Sequence, residues 1–393
     1  MELLRKWDCN VPTLRFAEFT DEWGKYELSH FVTRITRRNK NNESSLPLTI
    51  SAQYGLVDQI SFFNKTVASV DLSGYYLLYN GDFAYNKSYS NDYAWGAVKR
   101  LDKYEKGCLS SLYFVFRPND NVDSDYLTHY FESSKWHKGI SNIAGEGARN
   151  HGLLNMAIDD YFATKHYLPS LPEQKKIAQF FNAITRRIEI QNKIISKYET
   201  LIKGIRHRVF VSICDGKQSV LGSFLEEYSE KNTANNLQSV AVGKYGIRKR
   251  EDIYSKELSA DYSKNKVIHK DTLIIGMGST QIDIGILVTD NCYCVSPAYT
   301  TYRIKGINSF YLQEYLIELN PLLSIRYMIT SARQGKAVNK EDLMKHLMPI
   351  HLEHEQIEIC HCFEKLYSRL RIEKEMLSTL QRQKAFLLQS MFI

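Results

Sequence analysis

Side chains that can pair with nucleic-acid bases stand beside glycines at two similar places in this chain. The two segments are 145–150 (GEGARN) and 331–336 (SARQGK). Glycine lets a backbone approach a ligand closely, while Arg, Asn and Gln can bond to guanine or adenine edges and Lys binds phosphates. We predict that both loops face DNA, although for any single residue an ordinary solvated loop is an equal explanation. The candidate contacts are Arg149, Asn150, Arg333, Gln334 and Lys336.

A second group of candidates consists of basic and aromatic residues that occur in both halves of the chain. The net charge of +7, from 51 basic and 44 acidic residues, is compatible with a polyanionic partner but does not require one. The group comprises Arg34, Arg37, Arg38, Tyr54 and Lys87 in the first half, and Lys244, Tyr245, Arg248, Lys249 and Arg250 in the second.

The motifs of common catalytic sites are missing from the sequence. There is no phosphate-binding Gly-x-x-x-x-Gly-Lys loop, no His-Glu-x-x-His, and no Gly-x-Ser-x-Gly elbow. The chain has no Pro-Pro pair, which adenine methyltransferases carry in their catalytic loop, and none of its eight prolines precedes Asp as in many restriction nucleases. The seven cysteines contain no Cys-x-x-Cys pair. We therefore expect no catalytic residue, no metal site and no cofactor bound by this chain.

Targeting and membrane signals are also missing. The first twelve residues, MELLRKWDCNVP, lack the apolar stretch of a signal peptide, and no run approaches 18 apolar residues. Scattered cysteines are typical of reduced thiols. We expect a cytoplasmic protein that does not interact with membranes.

Two long helices with matching apolar seams are the strongest internal repeat. From Ile177 and again from Ile359, apolar residues recur at steps of four and three, and the two seams are offset by 182 residues. This heptad spacing predicts two helices of about 33 residues that pack against each other. We expect an antiparallel pair in which Gln191 and Glu373, polar residues near the middle of each seam, are neighbours.

The regions before the two helices also match in order. The paired features are Leu28–Phe31 with Leu221–Phe224, Tyr54-Gly55 with Tyr245-Gly246, Asp82 and Gly96 with Asp271 and Gly285, Tyr113 and Arg117 with Tyr299 and Arg303, Tyr126 with Tyr311, and Arg149 with Arg333. Segments 111–116 and 299–304 are rich in aromatic and β-branched residues and predict strands, whereas 126–133 and 311–318 predict short helices. The predicted organisation is α+β: a globular domain at 1–170, a long helix at 171–214, a similar domain at 215–350 and a second long helix at 351–393.

Several of these segments resemble one known family. They are Val11–Phe16 (VPTLRF) with Trp23, Leu171–Gln174 (LPEQ) at the start of a long helix, Gly81–Phe83, Tyr85–Lys87 and Ser296–Tyr299. In order and duplication they resemble the DNA-specificity subunits of Type I restriction–modification systems. The two halves depart from each other at one place, where the first has YSND at 89–92 and the second has GSTQ at 278–281. This difference leaves open which bases each half prefers.

The resemblance implies two target-recognition domains separated by two long antiparallel coiled-coil helices, with a pseudo-twofold repeat. Each domain would read one half of a split site in double-stranded DNA. The implied partners are two methyltransferase subunits, which use S-adenosylmethionine, and restriction subunits, motor-nucleases that use ATP and Mg²⁺. Two alternatives stay open: a two-domain scaffold that binds other proteins through its helices, and a nuclease with an unrecognised active site.

Overall fold

The computed structural model describes residues 10–65, 68–69, 71–88, 93–144, 153–212, 217–243, 246–250, 261–331 and 335–393. The chain forms two compact units. The first unit is Met1–Asn192 with Glu375–Ile393, and the second is Lys193–Lys374.

The head of the first unit is a mixture of short strands and short helices. In chain order these are β1 (Gly24–Glu27), α1 (Leu28–Phe31), β2 (Val32–Arg34), β3 (Leu48–Ser51), β4 (Gly55–Asp58), α2 (Gln59–Phe63), β5 (Tyr76–Tyr79), β6 (Phe83–Asn86), β7 (Ala97–Arg100), β8 (Lys106–Leu109), β9 (Phe114–Pro118), α3 (Ser124–Glu132), α4 (His137–Ile143), α5 (Ile158–Phe162) and β10 (Lys165–Leu168).

The long helix α6 (Leu171–His207) and a π-helical turn at Arg208–Ser212 lead to the second head. Its elements are β11 (Lys217–Val220), a 3₁₀ turn at Leu221–Phe224, β12 (Leu225–Tyr228), β13 (Val240–Gly243), β14 (Gly246–Lys249), β15 (Lys266–Ile268), β16 (Thr272–Ile275), β17 (Ile284–Leu287), β18 (Tyr293–Val295), β19 (Thr300–Ile304), α7 (Ser309–Tyr327), β20 (Met328–Ser331), β21 (Gly335–Val338), α8 (Lys340–Met344) and β22 (Leu347–Ile350). The second long helix, α9 (Glu353–Ser390), follows.

The two heads are built on the same strand order. A four-stranded antiparallel sheet has the order β2-β9-β6-β7 in the first unit and β12-β19-β16-β17 in the second. Each sheet is accompanied by a hairpin (β3-β4, β13-β14) and two further strand pairs (β5-β8 with β1-β10, and β15-β18 with β11-β22). The predicted fold class and internal repeat are therefore confirmed.

The register of the sheets corrects one part of the predicted repeat. The N–H of Gly81 donates to the Leu101 carbonyl, and the N–H of Asp271 donates to the Leu287 carbonyl in the corresponding place. Both residues have positive φ, +87° at Gly81 and +60° at Asp271. The match of Asp82 with Asp271 is therefore wrong by one residue, and the counterpart of Asp82 is Thr272.

The long helices pack as predicted within each unit. In the first unit Lys384 Nζ donates to Thr185 Oγ1 at 2.9 Å, and the Phe181 ring stacks on that of Phe392 at 5.7 Å. In the second, Glu199 pairs with Lys374 at 2.7 Å, while a residue further along α6, Arg206, contacts the earlier Tyr367 of α9. Rising numbers on one helix thus meet falling numbers on the other, so the helix parts run antiparallel in both units. Gln191 and Glu373 are both buried; their proximity stays a prediction.

The polar residue Lys384 within the apolar seam has a specific partner in the first head. Its ammonium lies 2.9 Å from the Glu132 carboxylate at the end of α3, which His129 also contacts at 3.1 Å. Burial would raise the pKa of Glu132, but the hydrogen bond from His129 and the charge of Lys384 outweigh it and lower the pKa to about 2. Lys384 therefore connects α9 to α3 of the first head through the Glu132 carboxylate.

The repeated Glu-Gln motif at the start of each long helix has the same structural role in both units. The Gln174 side chain accepts from the Asp123 N–H at 2.8 Å and donates to the Pro169 carbonyl at 2.9 Å. Gln356 makes the equivalent bonds to the Asn308 N–H and the His351 carbonyl. Because Asp123 and Asn308 are the N-caps of α3 and α7, each Gln holds a head helix at a fixed place on a long helix.

We expect the first unit to lose stability as the pH falls from 7 to 5, because of His166. This side chain is buried, with its ring nitrogens 2.7 Å from the Tyr130 oxygen and 2.8 Å from Thr164 Oγ1. Burial lowers its pKa from 6.5 to about 4. The unfolded chain therefore takes up a proton that the folded chain does not, so the stabilisation present above pH 6.5 is lost progressively toward pH 4.

The expected loss is about 2 kcal/mol between pH 7 and pH 5. It can be measured by urea unfolding followed through tryptophan fluorescence, because all four tryptophans belong to the first unit. The His166→Asn variant, which cannot titrate here, should show a flatter dependence on pH. Equal slopes for the two proteins would contradict the assignment to His166.

Candidate nucleic-acid interface

One end of the first sheet gathers several loop segments, and we call it the loop end of the first unit. There β6 ends at Asn86 opposite Ala97, the first residue of β7, and β9 begins at Phe114 opposite Tyr85. Leu154 lies at the same place, because its N–H donates to the Lys87 carbonyl at 3.0 Å.

Among the described residues, Lys87 is a predicted contact that lies at this loop end. Its ammonium sits over the Phe114 ring, 4.8 Å from the centroid, and burial lowers its pKa. Tyr54 follows β3 in the adjacent hairpin, is 61% exposed, and meets the Phe62 ring edge-on at 6.5 Å. These two residues are available to a ligand on the first unit.

The three predicted arginines of the first unit each contact other groups of that unit. Arg37 Nη2 bonds the buried Asp82 carboxylate at 2.8 Å and its Nε donates to the Leu77 carbonyl at 3.0 Å. Arg38 lies over the Tyr76 ring at 4.1 Å. Arg34 is 3.7 Å from the exposed Asp159 carboxylate. Their contact with DNA stays a prediction.

The second unit has an equivalent loop end. Strand β16 ends at Ile275, opposite both Ile284 of β17 and Thr300 of β19, so the 276–283 loop leaves the sheet there. The hairpin β13-β14 reaches the same place, because a Cβ on Gly243 would lie 3.8 Å from Asp283 Oδ1. Lys340, which begins α8 just after β21, contacts Thr300 Oγ1.

The predicted contacts of the second unit lie partly in this region. Arg248 and Lys249 are exposed on β14 beside a largely apolar cavity of about 350 Å³, and the Arg250 N–H donates to the Ser239 carbonyl at 3.3 Å. Lys336 belongs to β21, but its side chain is outside the described part of the chain. The following predicted contacts also lie outside the described residues: Arg149, Asn150, Lys244, Tyr245, Arg333 and Gln334.

The 276–283 loop contains residues that the search for basic clusters missed. Met277 is 58% exposed, Ser279 and Thr280 are exposed, and Gln281 is half-buried. None of these side chains is charged, so a search for Arg and Lys could not find them. The sequence indicated this loop only by a difference between the two halves, which have GSTQ at 278–281 and YSND at 89–92 in corresponding places.

Neither a metal-binding cluster nor a membrane-spanning helix occurs among the residues that the structure describes. No group of three or more His, Cys, Asp or Glu side chains in this part of the chain could hold a metal ion. None of the described helices is long and apolar enough to cross a membrane.

Comparison with known proteins identifies the fold. No protein-family model matches the sequence, and no curated protein matches it significantly. A chain from a structure of complex assembly and conformational transition in the type I R-M system is 18% identical, with a TM-score of 0.55 over 93% of this chain and 96% of that one. The Type I restriction–modification S subunit from M. genitalium is 15% identical, with a TM-score of 0.54 over 98% and 99%. This chain therefore has the fold of a Type I restriction–modification S subunit.

Proposed function

We propose that this chain is the DNA-specificity subunit of a Type I restriction–modification system. In this role it reads a bipartite DNA site and brings methyltransferase and restriction subunits to it. The observation that carries the proposal is the duplication: two heads with one strand order, each with a loop end, are attached to the same pair of helices. Two similar reading heads in one chain suit a DNA site that consists of two separate half-sites.

The chemistry of the loop ends supports DNA as the ligand. The loop end of the first unit presents an ammonium at Lys87, the adjacent hairpin presents an exposed aromatic ring at Tyr54, and the loop end of the second unit presents uncharged polar side chains at 279–281. Cations contact phosphates, and amides and hydroxyls can bond both phosphates and base edges. The fold likeness to an S subunit points to the same ligand.

Catalysis and cofactors belong to the partner subunits in this proposal. Two methyltransferase subunits would supply S-adenosylmethionine chemistry at adenines, and restriction subunits would supply ATP- and Mg²⁺-dependent translocation and cleavage. The alternatives make different predictions. A scaffold has no salt-dependent DNA affinity, and a nuclease cuts DNA with Mg²⁺ when this chain is present alone.

Methylation mapping tests the proposal directly. Cells that carry this chain with its methyltransferase subunit should contain methylated adenine in one split motif, detectable by long-read sequencing. Cells that carry the methyltransferase subunit alone should lack that motif. Methylation that is identical in the two strains would contradict the proposal.

We further expect the two long helices to set the distance between the half-sites. One heptad inserted after Ile195 and another after Leu377, equivalent seam positions 182 residues apart, would lengthen the pair by about 10 Å, which is about 3 base pairs of DNA. The methylated motif should keep both half-sites and gain that spacer. Seven residues inserted in the exposed loop after Asp290 provide the control, and an unchanged spacer in the lengthened helices would contradict the proposed ruler.

A further inference from the structure

The 276–283 loop stands out because it combines exposed side chains with a fixed backbone. At its base the Gly276 N–H donates to the Asp283 carbonyl at 2.6 Å, which closes the loop on itself. The Gly278 N–H donates to Asp283 Oδ2 at 3.1 Å. Burial raises the pKa of this carboxyl, and the bond from Gly278 opposes the shift only in part.

Two buried side chains of α7 brace the same loop from below. Ser324 Oγ accepts from the Ile282 N–H at 2.9 Å, and Asn320 Nδ2 donates to the Ile282 carbonyl at 3.0 Å. Ser324 also donates to Asn320 Oδ1 at 3.1 Å, so the two polar groups bond each other as well as the loop. Both lie beyond residue 318, in the part of α7 that exceeds the predicted helix.

A tight turn directs the middle of the loop outward. Gly278 has φ of +71°, and a Cβ at this position would lie 1.8 Å from the Gln281 carbonyl oxygen. No residue with a side chain fits this turn without moving the backbone. Gln281 is thereby held at the loop end, and its amide has no hydrogen-bond partner among the described residues.

We propose that the 276–283 loop is the base-reading element of the second unit, in which the Gln281 amide bonds an adenine edge and Met277 makes an apolar contact. This inference rests on the proposed function. A Gln amide can donate to adenine N7 and accept from its N6 amino group at the same time, and this bidentate pattern distinguishes adenine from the other bases. A braced loop suits this task because base readout depends on the position of the reading group.

The corresponding loop of the first unit differs in chemistry. Between β6 and β7 its described residues include Lys87, Tyr93 and Trp95, with Tyr93 and Trp95 partly buried against the core, and its sequence at 89–92 is YSND where the second unit has GSTQ. The two units thus present different side chains at equivalent loop ends. The proposed consequence is that the two half-sites differ in sequence and that Gln281 affects only one of them.

Methylation mapping with two variants of Gln281 tests the inference. Gln281→Ala should relax the preference at one position of one half-site by roughly 10- to 100-fold, because one bidentate contact is lost. Gln281→Glu should move the preference at that position toward cytosine, whose amino group donates to a carboxylate. Asn291→Ala, which removes an exposed amide at the other end of β17, is the matched control and should leave the motif unchanged.

A second variant tests the loop conformation separately. Gly278→Ala should disturb the same half-site while the other half-site and the spacer stay intact. An unchanged motif in all the loop variants, or a uniform loss of methylation at every motif position with either Gln281 variant, would overturn the inference. If the unaltered chain itself directs no methylated motif, the proposed function fails and this inference fails with it.

Discussion

Replacing Glu314 by alanine is expected to destabilise the second unit by about 3–5 kcal/mol, because it leaves a buried guanidinium without its counter-ion. Glu314 on α7 is 1% exposed and bonds Arg206 Nε on α6 at 2.8 Å. Tyr367 on α9 donates to the same carboxylate at 3.0 Å and accepts from Arg206 Nη2 at 2.6 Å. Burial, followed by the charge of Glu314, raises the pKa of Tyr367 to about 12.

The loss of stability is large because α6, α7 and α9 are all connected through the Glu314 carboxylate. Breaking a buried ion pair by removing one partner costs far more than replacing both partners with apolar groups. A double variant, Glu314→Leu with Arg206→Met, should therefore recover much of the stability that the single variant loses. Recovery would show that the stranded charge, and not the packing of α7 alone, causes the loss.

Urea unfolding followed by circular dichroism measures the effect, because this signal includes the helices and strands of the second unit. Tryptophan fluorescence, which reports the first unit, provides an internal reference in the same sample. Glu226→Ala is the matched control, because Glu226 pairs with Lys305 where both side chains are exposed and such pairs contribute little. A Glu314→Ala protein that unfolds at the same urea concentration as the unaltered chain would disprove the assignment.

The repeat and the helix pair were predictable because they rest on periodicity. A seam of apolar residues at steps of four and three must be covered by a partner helix, whatever the rest of the tertiary structure is. The helices have 37 residues in α6 and 38 in α9, which lies between the 33 residues predicted from the seams and the predicted bounds of 171–214 and 351–393, since their ends are set by contacts such as Gln174 with the Asp123 N–H. Likewise α7 continues to Tyr327, beyond the predicted end at 318.

The candidate site was less predictable, because the type of a side chain does not reveal its partner. Arg37 and Lys87 look equally suited to DNA in the sequence, yet Arg37 bonds Asp82, which lies 45 residues away. The loop around Gln281 depends on Asn320 and Ser324, about 40 residues downstream, and no local pattern announces those bonds. The off-by-one match of Asp82 with Asp271 has a similar origin, because only sheet register distinguishes the two neighbouring positions.

The second large effect on stability is expected at Asp82, whose counterpart in the second unit follows from the strand register. The carboxylate is fully buried, with Oδ1 2.6 Å from Arg117 Nε and Oδ2 2.8 Å from Arg37 Nη2. Its Oδ2 also accepts from the Tyr79 N–H at 2.8 Å. In the second unit Thr272 occupies this place, and its Oγ1 accepts from the His269 N–H at 3.3 Å. The threonine thus keeps the backbone bond without a charge.

Asp82→Ala is expected to destabilise the first unit by about 2–3 kcal/mol, and Asp82→Thr by less. Alanine leaves the Tyr79 N–H without an acceptor and strands two guanidiniums, whereas threonine restores the backbone bond that Thr272 makes. The loss is smaller than for Glu314 because the side chains of Arg37 and Arg117 are 36% and 48% exposed and can regain water. Tryptophan fluorescence during urea unfolding measures both variants, with Asp102→Ala as the control for an exposed carboxylate that pairs with Arg100. If Asp82→Thr proved as destabilising as Asp82→Ala, the bond to the Tyr79 N–H would contribute nothing, and the correspondence of Asp82 with Thr272 would not extend to its function in the fold.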